Sequence, residues 1–392
     1  MSVDSPAGAG NVAAAQGAGR VRPLGRPRRS GGGGGGIRGR EGIAGWIFTT
    51  PVIVLIVMFL AVPILMALWV SFSNWTGIGS PFSGDVKFVG VRNYKFLLGE
   101  DGLSRQNLMQ SLRNNFYYVL LVVPLQTSLA LFLAVIVSRR RLVGRGFFRT
   151  AFYFPSVTSS VAIVIIFQFL FSGSGAINAI ISALGKHGPD WLSEQQGLVH
   201  VVLDRLGVHT APAWLANHYV LGQSWWEWLA GPSGAMVVLI LLAVWTTAGT
   251  FMLLFVAALQ NIPSEIEEAA ITDGASSWQR FRMITLPMLR PTLLLVLTLG
   301  LISTWQTFDA QYLLGGALAN PSIVTPAYLS YTTSFSNQQW GQGAAISFIL
   351  FVIIIVLAAF QRWVLRDRDD ELLKRQERRQ AKEMRAARKA SA

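Results

Sequence analysis

Four acidic residues, Glu265, Glu267, Glu268 and Asp273, crowd a short run that ends at Gly274, in a chain otherwise poor in charge between its tails. Ser264 with Glu267 three residues on has the form of a capping box, which predicts a short helix. The glutamates then sit at the positive end of its dipole, and Ile266, Ala269, Ala270 and Asp273 follow the spacing of one face. Gly274 suits the left-handed residue that ends a helix. A small helix with alanine at its centre can lie close against another surface, and its acidic side suits a partner presenting Arg or Lys. Ser276 with Gln279 predicts a second capped helix carrying Trp278 and Phe281, and the Leu286-Pro287 step predicts a break after it. A second constellation is Trp305, Asp309 and Tyr312, at i, i+4 and i+7 on one helical face. An aromatic surface beside a carboxylate can stack on the C–H face of a sugar while the acid accepts from its hydroxyls. Gln306 and Trp245 are further candidates. The same residues also suit helix packing, with Asp309 capping the helix in interfacial water.

Other chemistries find no residues. Cysteine is absent, which excludes disulfides and thiol catalysis. The four histidines, His187, His200, His209 and His218, fall in one segment with no metal-site spacing, so no metal is expected. No G-x-x-x-x-G-K-[ST] run occurs, so nucleotide hydrolysis is not expected of this chain, and no catalytic residue is assigned.

The elements that must position these residues are apolar helices. Only 14% of the residues are charged and the mean hydropathy is +0.44, against about 25% charged in soluble domains. Six stretches are long enough to span a bilayer: Trp46–Val70, Phe116–Val137, Thr150–Phe171, Met236–Leu259, Thr292–Leu314 and Ala344–Trp363. An all-α polytopic membrane protein with six transmembrane helices is expected. Its ends and alternate loops hold 26 Lys and Arg, the remaining loops 7, which places both termini in the cytoplasm. The net charge of +13 follows from this bias, and no nucleic-acid partner is expected. Residues 1–43 read as a disordered, basic, Gly-rich tail, residues 44–364 as the six-span domain and residues 365–392 as a charged cytoplasmic tail. Within the domain, 173–233 forms a long extracytoplasmic loop, expected as a small helical cap with Trp191, Trp214, Trp225, Trp226 and Trp228 clustered at its surface. The cytoplasmic loop is 261–290. Asp309 is the only ionisable group within the spans, which therefore offer no cationic partner to an anionic solute.

Glu268-Ala269-Ala270, Gly274, Ile284-Thr285-Leu286-Pro287 and their spacing resemble the EAA motif of bacterial ABC importer permeases. Phe88-Val89-Gly90-Val91-Arg92-Asn93-Tyr94, Leu112-Arg113-Asn114-Asn115 and Leu259-Gln260-Asn261-Ile262-Pro263 are similar to elements of the carbohydrate branch, the maltose and multiple-sugar type. The resemblance implies a type I importer permease fold in the inner membrane, with Glu268 to Gly274 as a coupling helix docked on an ATPase. It implies a sister permease, two copies of a cytoplasmic ABC ATPase that hold ATP and Mg, and an extracytoplasmic substrate-binding protein. The chain itself would carry no cofactor. The cargo implied is a sugar, and the lack of cations favours a neutral oligosaccharide. The alternatives are glycerol phosphate or another small polar solute, or an ion-coupled carrier acting alone. The long 173–233 loop departs from the family pattern, as does Tyr312-Leu313-Leu314-Gly315-Gly316.

Overall fold

The computed structural model describes residues 38–139, 142–318 and 320–364. The readings of a disordered leader and a charged C-terminal tail fall almost wholly outside the described residues. The chain divides into two units, residues 1–62 and 63–392. The described part of the first is α1 (Arg38–Ile56) with a π-turn, Val57–Ala61. Its apolar side chains, Trp46 and Phe48 among them, are exposed, as a lipid-facing helix requires.

The second unit holds α2 (Val62–Ser71), α3 (Leu103–Val137), α4 (Arg145–Val157), α5 (Ser160–Leu170) and α6 (Gly234–Gln260). They are followed by α7 (Ser264–Thr272), α8 (Ser277–Arg280), α9 (Arg290–Trp305), α10 (Asp309–Leu318), α11 (Pro326–Tyr331) and α12 (Trp340–Val364). Among the described residues, five stretches are long and apolar enough to cross a membrane: Gly45–Ser71, Leu103–Val137, Gly234–Gln260, Arg290–Leu314 and Trp340–Val364. The third expected span is not one straight helix. It is α4 and α5, bent by 93°, and it makes a sixth span only if the pair is counted as one. Pro155 explains the weakness, because it has no N–H to give and its ring crowds the preceding turn. Ser156 and Thr158 hydroxyls donate to the carbonyls of Tyr153 (2.6 Å) and Phe154 (3.0 Å), taking up bonds that the end of α4 leaves open.

Between helices in lipid, association rests on close packing. The tightest pairing is α3 with α6, where Ala130 and Ala134 meet Phe251, Met252 and Phe255, and Tyr118 and Val122 meet Met236 and Leu239. Gly249 lets α4 press on α6, since a Cβ there would stand 2.3 Å from the Phe152 carbonyl oxygen. The outer face of α3 packs with α9 and α12 through Val119, Val123, Trp305, Leu350 and Ile354.

The polar residues noted in the sequence before and within α3 act as ties. Asn93 donates to the carbonyls of Ser71 and Ser73, both at 2.9 Å, and Tyr94 donates to the Ser71 hydroxyl at 2.8 Å. Asn114 donates to the carbonyls of Pro321 (3.0 Å) and Val324 (3.1 Å).

Residues 173–233 fold as short helices and a hairpin, β1 (Tyr219–Val220) antiparallel to β2 (Gln223–Ser224). Buried Asn178 is its hub, donating to the Gly173 and Pro189 carbonyls and accepting from Trp191 Nε1 at 2.9 Å. The tryptophans there serve mostly as internal packing. Trp226 stacks on His200 at 4.3 Å and Trp228 meets Phe116 edge-on at 5.7 Å, while Trp214 and Trp225 remain exposed.

Candidate functional site

Two features stand apart from ordinary helix packing: a cavity of mixed polar and apolar lining inside the bundle and an exposed loop at one end. The cavity encloses about 710 Å³ and is bounded by α3, α4, α5, α6, α9 and the start of α10. Two helix breaks open onto it. One is the α4–α5 bend, which brings Ser156, Thr158 and Ser160 to the wall. The other is the interruption from Gln306 to Phe308 between α9 and α10, which brings Gln306, Thr307 and Asp309. Irregular backbone at membrane depth is tolerated where it lines a cavity, because its freed N–H and C=O groups then find polar partners.

The facing wall is α6, which presents Thr246, Thr247 and Thr250, one turn of hydroxyls on one side. Gln126 completes it from α3. Its Oε1 accepts from the Thr247 hydroxyl at 2.6 Å, and its Nε2 lies over Gly300 of α9, where a Cβ would approach to 2.6 Å. This one buried amide therefore touches three helices. Among the described residues, Asp309 is the only carboxylate on the lining, and no Lys, Arg or His lines it. The surface mixes neutral donors and acceptors with a larger apolar share, in which Val122, Ile163, Leu242 and Leu299 stand beside Tyr118, Phe251 and Phe308. Such a wall can bind a polyhydroxylated solute and offers an anion no counter-charge.

The substrate-path residues expected from the sequence are not all brought together. Gln306 and Asp309 line the cavity. Trp305 does not: it is 5% exposed and packs with Val119 and Leu350. Trp245 packs against Phe167 with ring centroids 5.8 Å apart and the rings tilted, and it is 46% exposed. Tyr312 belongs to an aromatic group with Phe308, Tyr328 and Tyr331. The expected single face for Trp305, Asp309 and Tyr312 fails because the helix stops at Trp305 and restarts at Asp309, so the rotation per residue is lost across the gap. The hydroxyls of α6 and of the two breaks were missed. Their signal was a density of Ser and Thr within otherwise apolar stretches.

The loop between α6 and α9 carries the expected acidic helix. In α7 no residue is buried, and Glu265, Glu267 and Glu268 are exposed together with Ile266 and Ile271. Its start differs from the capping box expected at Ser264. Pro263 occupies the N-cap, so Ser264 lies already in the first turn and cannot cap it. Its end is as expected: Gly274 has φ +77°, Gly274 N donates to the Ile271 carbonyl and Ala275 N to the Ala270 carbonyl, the paired bonds of a Schellman stop. The Ser276–Gln279 capping box is formed at α8. No break occurs at Leu286-Pro287. A π-turn, Phe281–Thr285, carries the helical course forward, with Leu286 N donating to the Phe281 carbonyl five residues back, and so absorbs the proline. Trp278 stacks on Phe281 at 5.6 Å, and Trp278 and Met283 stand exposed. An isolated nine-residue helix is marginal in water. This one has no side-chain cap at its start, a Schellman stop at its end, and acidic and apolar side chains both uncovered.

A bundle of spans with broken helices around an internal cavity, and an exposed short helix with acidic and apolar side chains at one end, has the make-up of a solute permease. Residues 126–369 match the family model described as binding-protein-dependent transport system inner membrane component, and the chain belongs to that family. It is similar to the lactose transport system permease protein LacF of Rhizobium radiobacter, 29% identical over 329 residues, which cover 83% of this chain and 95% of that one. Two solved structures of bacterial alginate ABC transporters share the fold. One, involved in import of the acidic polysaccharide alginate, matches with a TM-score of 0.62 at 17% identity, over 83% of this chain and 96% of that one. The other, in complex with an alginate pentasaccharide-bound periplasmic protein, gives 0.63 at 17% identity, over 83% and 95%. The chain is thus a multi-pass inner-membrane permease of the ABC importer type.

Proposed function

We propose that this chain is one of two paired permease subunits of an ATP-driven importer for a neutral oligosaccharide. The observation that carries the reading is the cavity lining, with its hydroxyls and amides, one carboxylate and no cation. An acidic sugar would enter it without a counter-charge, which costs several kcal/mol of desolvation if uncompensated, on the order of the penalty for burying an unpaired ion. A neutral sugar exchanges water for Ser, Thr and Gln partners at little net cost. The likeness to a lactose permease supports a sugar cargo.

In this reading the 261–290 loop and both termini face the cytoplasm, and 173–233 faces outward. Two copies of an ABC ATPase hold ATP and Mg and dock on α7, with Glu268, Ala269, Ala270, Asp273 and Gly274 at the contact. A substrate-binding protein delivers solute from outside, and a sister permease closes the other half of the path. Gln306 and Asp309 contact the sugar in transit. Trp245 and Tyr312 stand near the path, and Trp305 steadies α9 from behind it.

The test is reconstitution of the complex in proteoliposomes with its ATPase and binding protein. Uptake of lactose, maltose, raffinose or maltotriose should require ATP and the binding protein, and trigalacturonate should not be carried. Uptake of trigalacturonate alone, or uptake by this chain without an ATPase, overturns the reading.

A further inference from the structure

A second hollow lies outside the central cavity, between the first turns of α3 and the segment from Asn320 to Thr332. It encloses about 250 Å³, and its lining includes Asn107, Gln110, Asn320, Tyr328 and Thr332, with no charged side chain among the described residues. Binding sites for drug-sized molecules run from about 300 Å³ upward, so this one has room for a single ring rather than a whole oligosaccharide.

Its far wall is held rigidly. Asn114 fixes the Pro321–Val324 turn by its two bonds to carbonyls. Asn320 donates to the Leu192 carbonyl at 3.0 Å and accepts from Ser322 N at 2.9 Å. Thr325 donates to the Thr307 carbonyl at 3.1 Å, which ties the segment to the break between α9 and α10. The near wall is different. Asn107 is exposed, Gln110 is half-buried, and neither amide is hydrogen-bonded to protein among the described residues. They stand one turn apart on α3, the spacing that puts two amides side by side.

An aromatic wall joins this hollow to the central cavity. Tyr328 lines the hollow and Phe308 lines the cavity. Their ring centroids are 6.4 Å apart, and Tyr312 bridges them at 5.3 Å from Phe308 and 6.2 Å from Tyr328. Tyr331 continues the wall at 5.2 Å from Phe308 and stacks on Phe335 at 4.8 Å. Burial, with Tyr312 nearby, pushes the Tyr328 phenol up from its ordinary value, so the ring it offers is uncharged.

We propose that this hollow is an outer subsite for one ring of a neutral sugar chain. Asn107 and Gln110 present paired donors and acceptors to vicinal hydroxyls, Tyr328 offers its ring for stacking, and the Tyr328–Tyr312–Phe308 wall leads the chain into the central cavity. The occupant follows from the chemistry of the lining. Two unpartnered amides are costly to cover with a lipid tail, and the absence of charge gives an anionic headgroup nothing to pair with. The proposal rests on the reading above that a neutral sugar is carried and that this end of the bundle faces outward.

The experiment uses the reconstituted transporter with its ATPase and binding protein, and measures initial uptake rates for lactose, maltose, raffinose and maltotriose. The variants are Asn107→Ala with Gln110→Ala, Tyr328→Ala and, as the conservative control, Tyr328→Phe. For the longest sugar that the wild type carries, the double variant and Tyr328→Ala should raise KM about five- to tenfold, the worth of one or two neutral hydrogen bonds or a stacked ring. Vmax should stay within about twofold, and Tyr328→Phe should behave as wild type. An unchanged KM overturns the subsite, as does an equal fall of Vmax for every sugar, which marks a structural role. Loss of co-purification with the sister permease overturns it in favour of a subunit contact. If the wild-type complex carries none of these sugars, the neutral-sugar reading fails and the subsite with it. If uptake is sound and the variants leave it untouched, the subsite alone fails.

Discussion

Gly300→Ala probes the point where three helices share one amide. The added Cβ would stand 2.6 Å from Gln126 Nε2 and 3.6 Å from Phe251 Cε2. The second contact is ordinary, and the first is closer than real methyl groups come. Gln126 cannot simply swing aside, because it is 1% exposed and its Oε1 is held by the Thr247 hydroxyl at 2.6 Å. To make room the amide must shift by roughly an ångström and give up that bond. The lost neutral hydrogen bond accounts for about 1 kcal/mol, and crowding a filled interior adds about 1 kcal/mol at the low end of overpacking. A loss of about 2 kcal/mol is expected. The assay is thermal inactivation of the purified complex followed by size-exclusion fluorescence, run as a cycle with Gln126→Ala. With the Gln126 amide removed, the nearest contact given for the extra methyl is Phe251 Cε2 at 3.6 Å, so Gly300→Ala should cost little in that background, leaving a coupling of about 1–2 kcal/mol. Full stability of Gly300→Ala with Gln126 intact would refute the reasoning. An equal loss in both backgrounds would show that the strain lies elsewhere in α9.

Gly249→Ala should be harsher than Gly300→Ala, because its Cβ meets the Phe152 carbonyl oxygen at 2.3 Å and Tyr153 Cα at 2.9 Å, and backbone cannot rotate away. The expected result is a complex that fails to accumulate, scored by membrane yield; normal yield would contradict the α4–α6 approach. Glu268→Lys should insert normally yet lose ATP-driven uptake, and Gly274→Ala should weaken it in part by imposing about 1 kcal/mol on a φ of +77°. Pull-down of the ATPase checks both, and wild-type association with wild-type uptake for Glu268→Lys would remove α7 from the contact. Asp309→Asn should raise KM for the imported sugar about three- to tenfold through loss of a charge-assisted acceptor. Unchanged KM would place Asp309 outside the path.

How far the sequence could be read depended on the range of the interactions that shape each element. Spans set by local apolarity were legible, and Gly234–Gln260 and Trp340–Val364 fall close to expectation. The Gly274 stop was legible too, since its bonds reach only from Ala275 to Ala270. The N-cap at Pro263 was misread by one residue because Ser264 and Glu267 fit a capping box in type, and only the backbone decides which residue is the cap. The π-turn before Pro287 was invisible for a similar reason. Proline forbids one hydrogen bond, and whether the chain breaks or slips its register to i+5 depends on what packs around it.

The cavity was the least legible part, and it shows where the functional information sits. A single period of 3.6 residues put Trp305, Asp309 and Tyr312 on one face, but the three residues from Gln306 to Phe308 reset the rotation. A break inside a span leaves N–H and C=O groups that lipid cannot satisfy, so it persists only where other polar groups answer it. Here the answers come from elsewhere in the chain: the Thr325 hydroxyl donates to the Thr307 carbonyl, 18 residues back, and the Asn115 amide donates to the Trp305 carbonyl at 3.3 Å, 190 residues on. Asn115 belongs to the Leu112-Arg113-Asn114-Asn115 element noted in the sequence, and its neighbour Asn114 holds the Pro321–Val324 turn. That element therefore steadies the opening without lining the central cavity. The Asn114 and Asn115 ties that steady the cavity wall are not among the residues that line it. In this chain those ties carry a more recognisable sequence pattern than the lining does.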